Sequence, residues 1–492
     1  MMVLTAINLY TIRLLLRNLG QEDYGTFNAV AGIVLVSTFI SATLAVSIQR
    51  FYSYTLGEGR TDRLPIIFSA SINIILVLSV GLLLIFETIG LWFVNNDLPI
   101  PSGRLLAANY VFHCSLITLG VGLLQQPFTA AIFAQEEMGA FALISLTECL
   151  LRLGVVYLIG ITAMDRLVFY GIGLSTVAVI VFLLYVFIVR HHYPEYKYCW
   201  EIPKGTYHSL LAFSGWTMYS ALAASGMTQG ITILLYMFFG PIATAAYAIS
   251  QQVFHALAAL SNSISIAFRP AMVKSYAEKD YALLNKMFSA NNKLILYLLM
   301  MVAVPLVLEL RTIFGWWLGY VSDETVIYTR FIIFYMICFS MHNPITTIIQ
   351  ATGRLKYYSL FVDSIVLLSL PATWLAFRLG ASSEISIVLM IIMCFAAHIV
   401  RLFLLQYQYP PFRYAQYVSG ILQGLIVATC TVTVAGFVHQ VIHPDIARLI
   451  AVFSSSCVSM LLAAYAIGLT TKERQMLCQF MTERIKPKSQ RN

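Results

Sequence analysis

The feature that most constrains this chain is a recurrence of apolar blocks 20 or more residues long, separated by short polar connectors, along nearly its full length. A block of that length spans about 30 Å of hydrocarbon when helical, at about 1.5 Å per residue. Lipid offers no partner for a backbone N–H or C=O, so such blocks must close their hydrogen bonds internally as helices. Composition agrees: 59% of the 492 residues are hydrophobic and 11% are charged, against about 25% charged in soluble domains. This excludes a soluble enzyme, a disordered chain and a nucleic-acid binder. The expected fold class is all-α, a polytopic membrane protein.

Fourteen spans are read, near 1–19, 26–48, 66–94, 105–134, 140–163, 167–190, 208–239, 242–268, 288–310, 326–352, 357–378, 384–406, 415–439 and 447–470. Gly20 to Gly25, Gly240-Pro241, Pro410-Pro411 and Pro444 punctuate the connectors. The first span opens at Met1 without a basic flank, which reads as a late or incomplete start rather than a signal peptide.

The net charge of +8 is a topological signal. Twenty-one of the 30 Lys and Arg residues, among them Arg50, Arg190, Lys286, Lys293, Arg354 and Arg413, fall in one alternate set of connectors plus the C-terminal tail. Seven, including Arg17, Arg104, Arg311 and Arg448, fall on the other side. The positive-inside rule assigns the richer set, and both termini, to the cytoplasm. The tail 471–492 reads either as an interfacial helix with Met476, Leu477, Phe480 and Met481 on one face, or as a solvated basic segment.

An internal repeat is suggested at an offset of 220. Leu15-Leu16 and Gly20 correspond to Leu234-Leu235 and Gly240, and Arg50 corresponds to Arg269 at an offset of 219. The expected organisation is an N-terminal lobe of six spans at 1–190, a cytoplasmic connector at 191–207, a C-terminal lobe of six spans at 208–406, an extra helix pair at 407–470, and the basic tail. Lobes of even span number share one orientation and would frame a central cleft.

Chemistry-bearing motifs are missing. The sequence holds no GxxxxGK[ST], HExxH or GxSxG pattern, and its eight cysteines form no CxxC. No catalytic residue, metal site or cofactor is expected. The outer connectors are short, which weighs against a polymerase or ligase.

Polar residues within spans need a reason, since a mid-bilayer charge costs at least about 2.5 kcal/mol. Glu148 and Arg152 lie four apart on the fifth span, as a structural ion pair or a lumen-facing one. Arg13 faces a cleft or snorkels to headgroups. Asp363 suits a structural cap or an ion site. Glu87 and Glu309 fall near outer ends, where interfacial exposure is expected. Gln125-Gln126-Pro127, Gln229-Gly230, Asn262 and Asn343-Pro344 interrupt or mark spans, as interhelical bonds or as a lining for sugar hydroxyls.

Three stretches then resemble a known family. Arg13 to Gly20 with Glu22-Asp23-Tyr24-Gly25, Gln49-Arg50-Phe51, and Pro344 followed by Gln350-Ala351-Thr352-Gly353-Arg354 look like polysaccharide biosynthesis proteins of the lipid-linked oligosaccharide flippase type. That family sits in a superfamily with multidrug extruders and the lipid II flippase. The resemblance implies two six-helix lobes in a V shape plus spans 13 and 14, in the bacterial inner membrane. It implies flipping of a prenyl-pyrophosphate-linked oligosaccharide, such as an O-antigen unit, from the cytoplasmic to the outer leaflet. A coupling ion, H+ or Na+, and polymerase and glycosyltransferase partners go with it. Arg13 and Arg152 are then the expected phosphate partners, with Glu148, Gln125, Gln126, Gln229 and Asn262 around them. A drug/cation antiporter of the same superfamily is the first alternative.

Overall fold

A computed structural model describes residues 2–57, 60–101, 103–135, 137–319, 322–352, 354–443 and 445–468. The basic tail, Gly353 and Pro444 lie outside these, as does the side chain of Arg50.

The fold is all-helical and multi-pass. Its opening helices are α1 (Met2–Leu19), α2 (Gln21–Leu35) and α3 (Thr38–Gly57), followed by α4 (Leu64–Ile85) and a short α5 (Leu91–Asn96). Then come α6 (Leu105–Ala134), α7 (Met138–Ile159), α8 (Arg166–His192) and α9 (Lys204–Ala277). The next stretch holds α10 (Tyr281–Leu308), α11 (Leu310–Leu318), α12 (Asp323–Ser340) and α13 (Asn343–Thr352). Short helices α14 (Leu355–Tyr358), α15 (Ser364–Leu367) and α16 (Ser369–Arg378) precede α17 (Ile385–Gln408), α18 (Tyr414–Val441) and α19 (Asp445–Ala463).

Among the described residues, eleven helical segments are long and apolar enough to cross a membrane, against fourteen spans read from sequence. One of the eleven, Met218–Tyr276, carries two of those spans. It breaks at Gly240 (φ 79°, ψ −170°), where the Gly-Pro pair is expected to separate them. The segments α1 and α2–α3 are helical but more polar, and fall outside the eleven.

Two expected interruptions are absent. α6 runs unbroken through Pro127. The carbonyl that its missing N–H would have met is that of Leu123; the side chains nearby bond other carbonyls, Gln126 Nε2 that of Gly122 (2.8 Å) and Thr129 Oγ1 that of Gln125 (3.3 Å). Gln229-Gly230 also lies in continuous helix, and there the glycine serves close packing: a Cβ on Gly230 would overlap Leu370. The break before Asn343-Pro344 is present, with Pro344 in the first turn of α13, where its lacking N–H is not missed.

The chain divides into two compact units. The first comprises Met1–Gln252, Trp317–Tyr328 and Lys356–Met393. Its core includes Phe112, Leu123, Ile132, Tyr52 and Tyr236, all nearly inaccessible. The second comprises Val253–Trp316, Thr329–Leu355 and Cys394–Asn492. There α10 packs against α18 and α19 through Tyr297, Val304, Val427, Ala435, Val452 and Met460. Hydroxyls within the helices turn back on their own backbone, as Thr43 does to Phe39 (2.8 Å) and Thr431 to Val427 (3.0 Å). That leaves little polar surface to be satisfied by lipid.

Glu309 corrects an expectation. It is not exposed at the interface but is 1% exposed, just past the end of α10. His439 Nδ1 (2.7 Å) and Arg448 Nε (2.9 Å) hold its Oε1, and Thr312 donates to Oε2 (2.9 Å). This network ties α10 to α18 and α19 in the second unit.

Candidate functional site

The first unit holds two cavities that use expected site residues. α1 is pinned on three sides: Asn18 Nδ2 donates to the Val156 carbonyl (2.9 Å), Arg166 donates to the Asn18 carbonyl (2.8 Å), and Trp317 Nε1 donates to the Leu9 carbonyl (2.6 Å). Ile12, Leu15 and Leu19 form its buried stripe. Arg13 and Arg17, four apart, lie off that stripe and are exposed. Both line a cavity of about 620 Å³ with Gln21, Glu22, Ile249 and Thr325. Neither arginine has an ion pair or a side-chain hydrogen bond among the described residues. With one carboxylate against two guanidiniums, the cavity carries net positive charge. Guanidinium presents a planar fork of donors suited to phosphate oxygens.

Arg17 is the residue that sequence reading missed. The charge tally assigns it to an outer connector. Its spacing of one helical turn from Arg13 is the signal that joins the two.

Arg152 and Gln126 share the second cavity, of about 410 Å³, with Phe27, Ser115, Thr118 and Tyr170. Arg152 donates to Glu148 Oε1 (2.6 Å), so the expected i, i+4 pair is formed on an exposed face of α7. The structure thus brings Arg152, Glu148 and Gln126 together, and places Arg13 with Arg17 in a different cavity.

The remaining candidates have separate settings. Gln125 is part-buried on α6 and lines neither cavity. The Gln229 side chain lies against Gly32 of α2. Asp363 closes a π-turn, Ser359–Asp363, and accepts a hydrogen bond from Ser220, whose hydroxyl oxygen lies 2.9 Å from that of Ser359. In the second unit, Asn262 is exposed and accepts from Asn343 Nδ2 (3.3 Å).

Beside the first cavity, Arg104 joins two carboxylates, those of Asp23 and Asp165. Asp23 is 7% exposed. Burial pushes its carboxyl above the usual range, and Arg104 offsets only part of that. Asp165 also caps α8, accepting from the Leu167 and Val168 amides (3.0 and 3.2 Å). One guanidinium thereby fixes the start of α2 against the starts of α6 and α8.

No protein-family model and no curated protein matches the sequence. Solved structures do match. The lipid II flippase MurJ in an inward closed conformation has a TM-score of 0.67 at 14% identity, covering 94% of this chain and 98% of its own. A multidrug resistance MATE family transporter of the MOP superfamily, inward-facing, has a TM-score of 0.62 at 13% identity, covering 82% of this chain and 95% of its own. A MOP superfamily transporter from Pyrococcus furiosus has a TM-score of 0.55 at 11% identity, covering 83% and 92%. At these identities the likeness is one of fold: the chain has the multi-pass helical fold shared by the lipid II flippase and the MATE transporters.

Proposed function

We propose that this chain is a membrane transporter that flips a prenyl-pyrophosphate-linked oligosaccharide from the cytoplasmic to the outer leaflet, for surface polysaccharide synthesis in a bacterial inner membrane. One observation carries the proposal: Arg13 and Arg17 line a single cavity of about 620 Å³ with no ion partner among the described residues. A pyrophosphate brings the charge that two guanidiniums need, and Gln21 offers a polar contact for sugar hydroxyls. Moving the headgroup through a hydrated cavity avoids stripping water from its charges and hydroxyls, while the prenyl tail stays in lipid. Arg152, Gln126 and Glu148 form a second polar station in the same unit, whereas Gln125, Gln229 and Asn262 line neither cavity and are given no part in it.

The motion proposed is alternating access, driven by an H+ or Na+ gradient. It is supported by inward-facing and outward-facing conformations among solved structures of this fold. Glycosyltransferases would supply the substrate and a polymerase would take the product.

The test is a leaflet-resolved assay of labelled prenyl-pyrophosphate oligosaccharide in proteoliposomes. Protein-dependent flipping that falls in Arg13→Ala and Arg17→Ala supports the reading; equal flipping by protein-free vesicles removes it. A multidrug or cation antiporter is the alternative, favoured by the MATE-like fold. Cationic dye efflux that is lost in Asp363→Asn would establish it instead.

A further inference from the structure

The second unit carries a cationic groove that the transport reading does not use. It lies between the N-terminal halves of α10 and α18 and encloses about 800 Å³. Lys286, Lys293 and Arg413 line it with Asn285, Gln416 and Gln423, and no carboxylate lines it among the described residues.

The groove is built rather than incidental. Tyr409, 1% exposed, donates to Asn285 Oδ1 (3.2 Å), and Asn285 Nδ2 donates to the Pro411 carbonyl (3.1 Å). These bonds fix the Pro410-Pro411 turn against the start of α10. Lys293 is 9% exposed and donates to the Gly468 carbonyl (3.0 Å). Arg413 is the N-cap of α18 and its side chain forms no cap hydrogen bond.

Behind this polar mouth lies an apolar slot. It shares Asn285, Lys293, Arg413 and Gly420 with the groove and is walled by Phe288, Leu296, Phe412 and Ile421. The slot holds only about 30 Å³, too little for an alkyl chain, so the groove matches the anionic head of an amphiphile whose chains stay in the bilayer. The basic residues belong to the set that charge bias assigns to the cytoplasm, where the leaflet is rich in anionic lipid. The chain's own C-terminal segment 471–492 has six basic residues against two acidic, the wrong sign to fill the groove.

We propose that this groove binds the phosphate headgroup of an anionic bilayer phospholipid, with the acyl chains remaining in the surrounding lipid.

The test uses the full chain in phosphatidylcholine nanodiscs doped with phosphatidylglycerol, with retained lipid read by native mass spectrometry. Wild type is expected to retain phosphatidylglycerol preferentially. Lys286 and Arg413 are exposed, so Lys286→Gln with Arg413→Gln should leave the fold intact. At about 1 kcal/mol per basic residue near a membrane surface, the pair should lower that preference about thirtyfold. Gly420→Leu keeps every charge and crowds the groove, since a Cβ there meets no atom within 4 Å, and should also lower retention. Inorganic phosphate at millimolar concentration should fail to displace the lipid. Displacement by phosphate alone, or equal retention of both lipids by wild type and the two variants at unchanged melting temperature, would overturn the proposal.

Discussion

Gly25 of α2 rests on the backbone of Pro241, so closely that a Cβ on Gly25 would overlap the Pro241 carbonyl. The contact joins two related corners. Gly20 turns the chain at φ 83°, ψ 170°, and Gly240, 220 residues later, turns it at φ 79°, ψ −170°. Both sit in the left-handed region that favours glycine. From this crossing α2 runs along the first arm of α9, with Thr26 bonded to Tyr236 (3.2 Å) and Gly32 against Gln229. The colliding atoms at Gly25 are backbone, which cannot rotate away. Gly25→Ala should therefore cost about 3 kcal/mol, at the upper end of overpacking penalties. Gly81→Ala, with open space around its Cβ, should leave the melting temperature of detergent-solubilised protein unchanged or raised. Equal melting of the two variants would refute the close approach.

The paired arginines make a prediction about charge. Arg13→Lys and Arg17→Lys retain the positive charge but lose the bidentate fork, so each should keep part of the flipping rate in proteoliposomes. Arg13→Ala and Arg17→Ala should each lower it about tenfold or more, the loss of one charge-assisted hydrogen bond of about 1.5–3 kcal/mol. Melting temperatures should hardly change, because both side chains are exposed and lack ion partners among the described residues. Wild-type flipping by the double alanine variant would remove this cavity from the mechanism.

What the sequence reveals here follows from what the bilayer demands. Each span must be apolar over about 20 residues, so spans are legible locally. Gly240-Pro241 is legible for a similar reason, since few residue pairs end a helix so firmly. Glu309 is not legible, because its partners His439 and Arg448 lie 130 and 139 residues away. A carboxylate at a span end reads as interfacial until those partners are in place. Gln229-Gly230 misleads in the other direction, as a helix-breaking pair used for packing on Leu370. Arg17 was obscured by charge counting, which sorts residues by connector and ignores the face shared with Arg13.

The Glu309 network predicts coupled losses. Its carboxylate is buried, whereas Arg448 keeps a partner in Asp445 (2.8 Å). Arg448→Ala should therefore destabilise by about 3 kcal/mol, because it strips a buried charge of its main counter-ion. Glu309→Gln should cost less, since the amide retains one oxygen to accept from His439 or Arg448. A double-mutant cycle should give an interaction energy of about 1–3 kcal/mol. Additive effects would show that the two residues act independently.

The Arg104 bridge predicts a dependence on pH whose sign can be worked out. Burial raises the Asp23 carboxyl above its ordinary value of 3.8, and Arg104 is the leading influence in the opposite direction. A raised carboxyl means that the folded state disfavours the ionised form. The resulting penalty is absent below the unfolded value and grows as pH rises through the folded one. Arg104→Ala removes the offset, so the folded value should rise further and the penalty should extend to higher pH. The loss of stability should be small near pH 4 and larger near pH 8. The Arg104 side chain is 37% exposed, so screening limits the loss to about 1–2 kcal/mol. Asp23→Asn in the same background removes that ionisable group and should abolish its share of the pH dependence while leaving any packing loss and the share of Asp165. Melting temperatures of the single and double variants between pH 4 and 8 check this directly. A drop that is flat across that range would show that Arg104 acts by packing alone, and that the two carboxylates it bridges do not bear on the stability of α2.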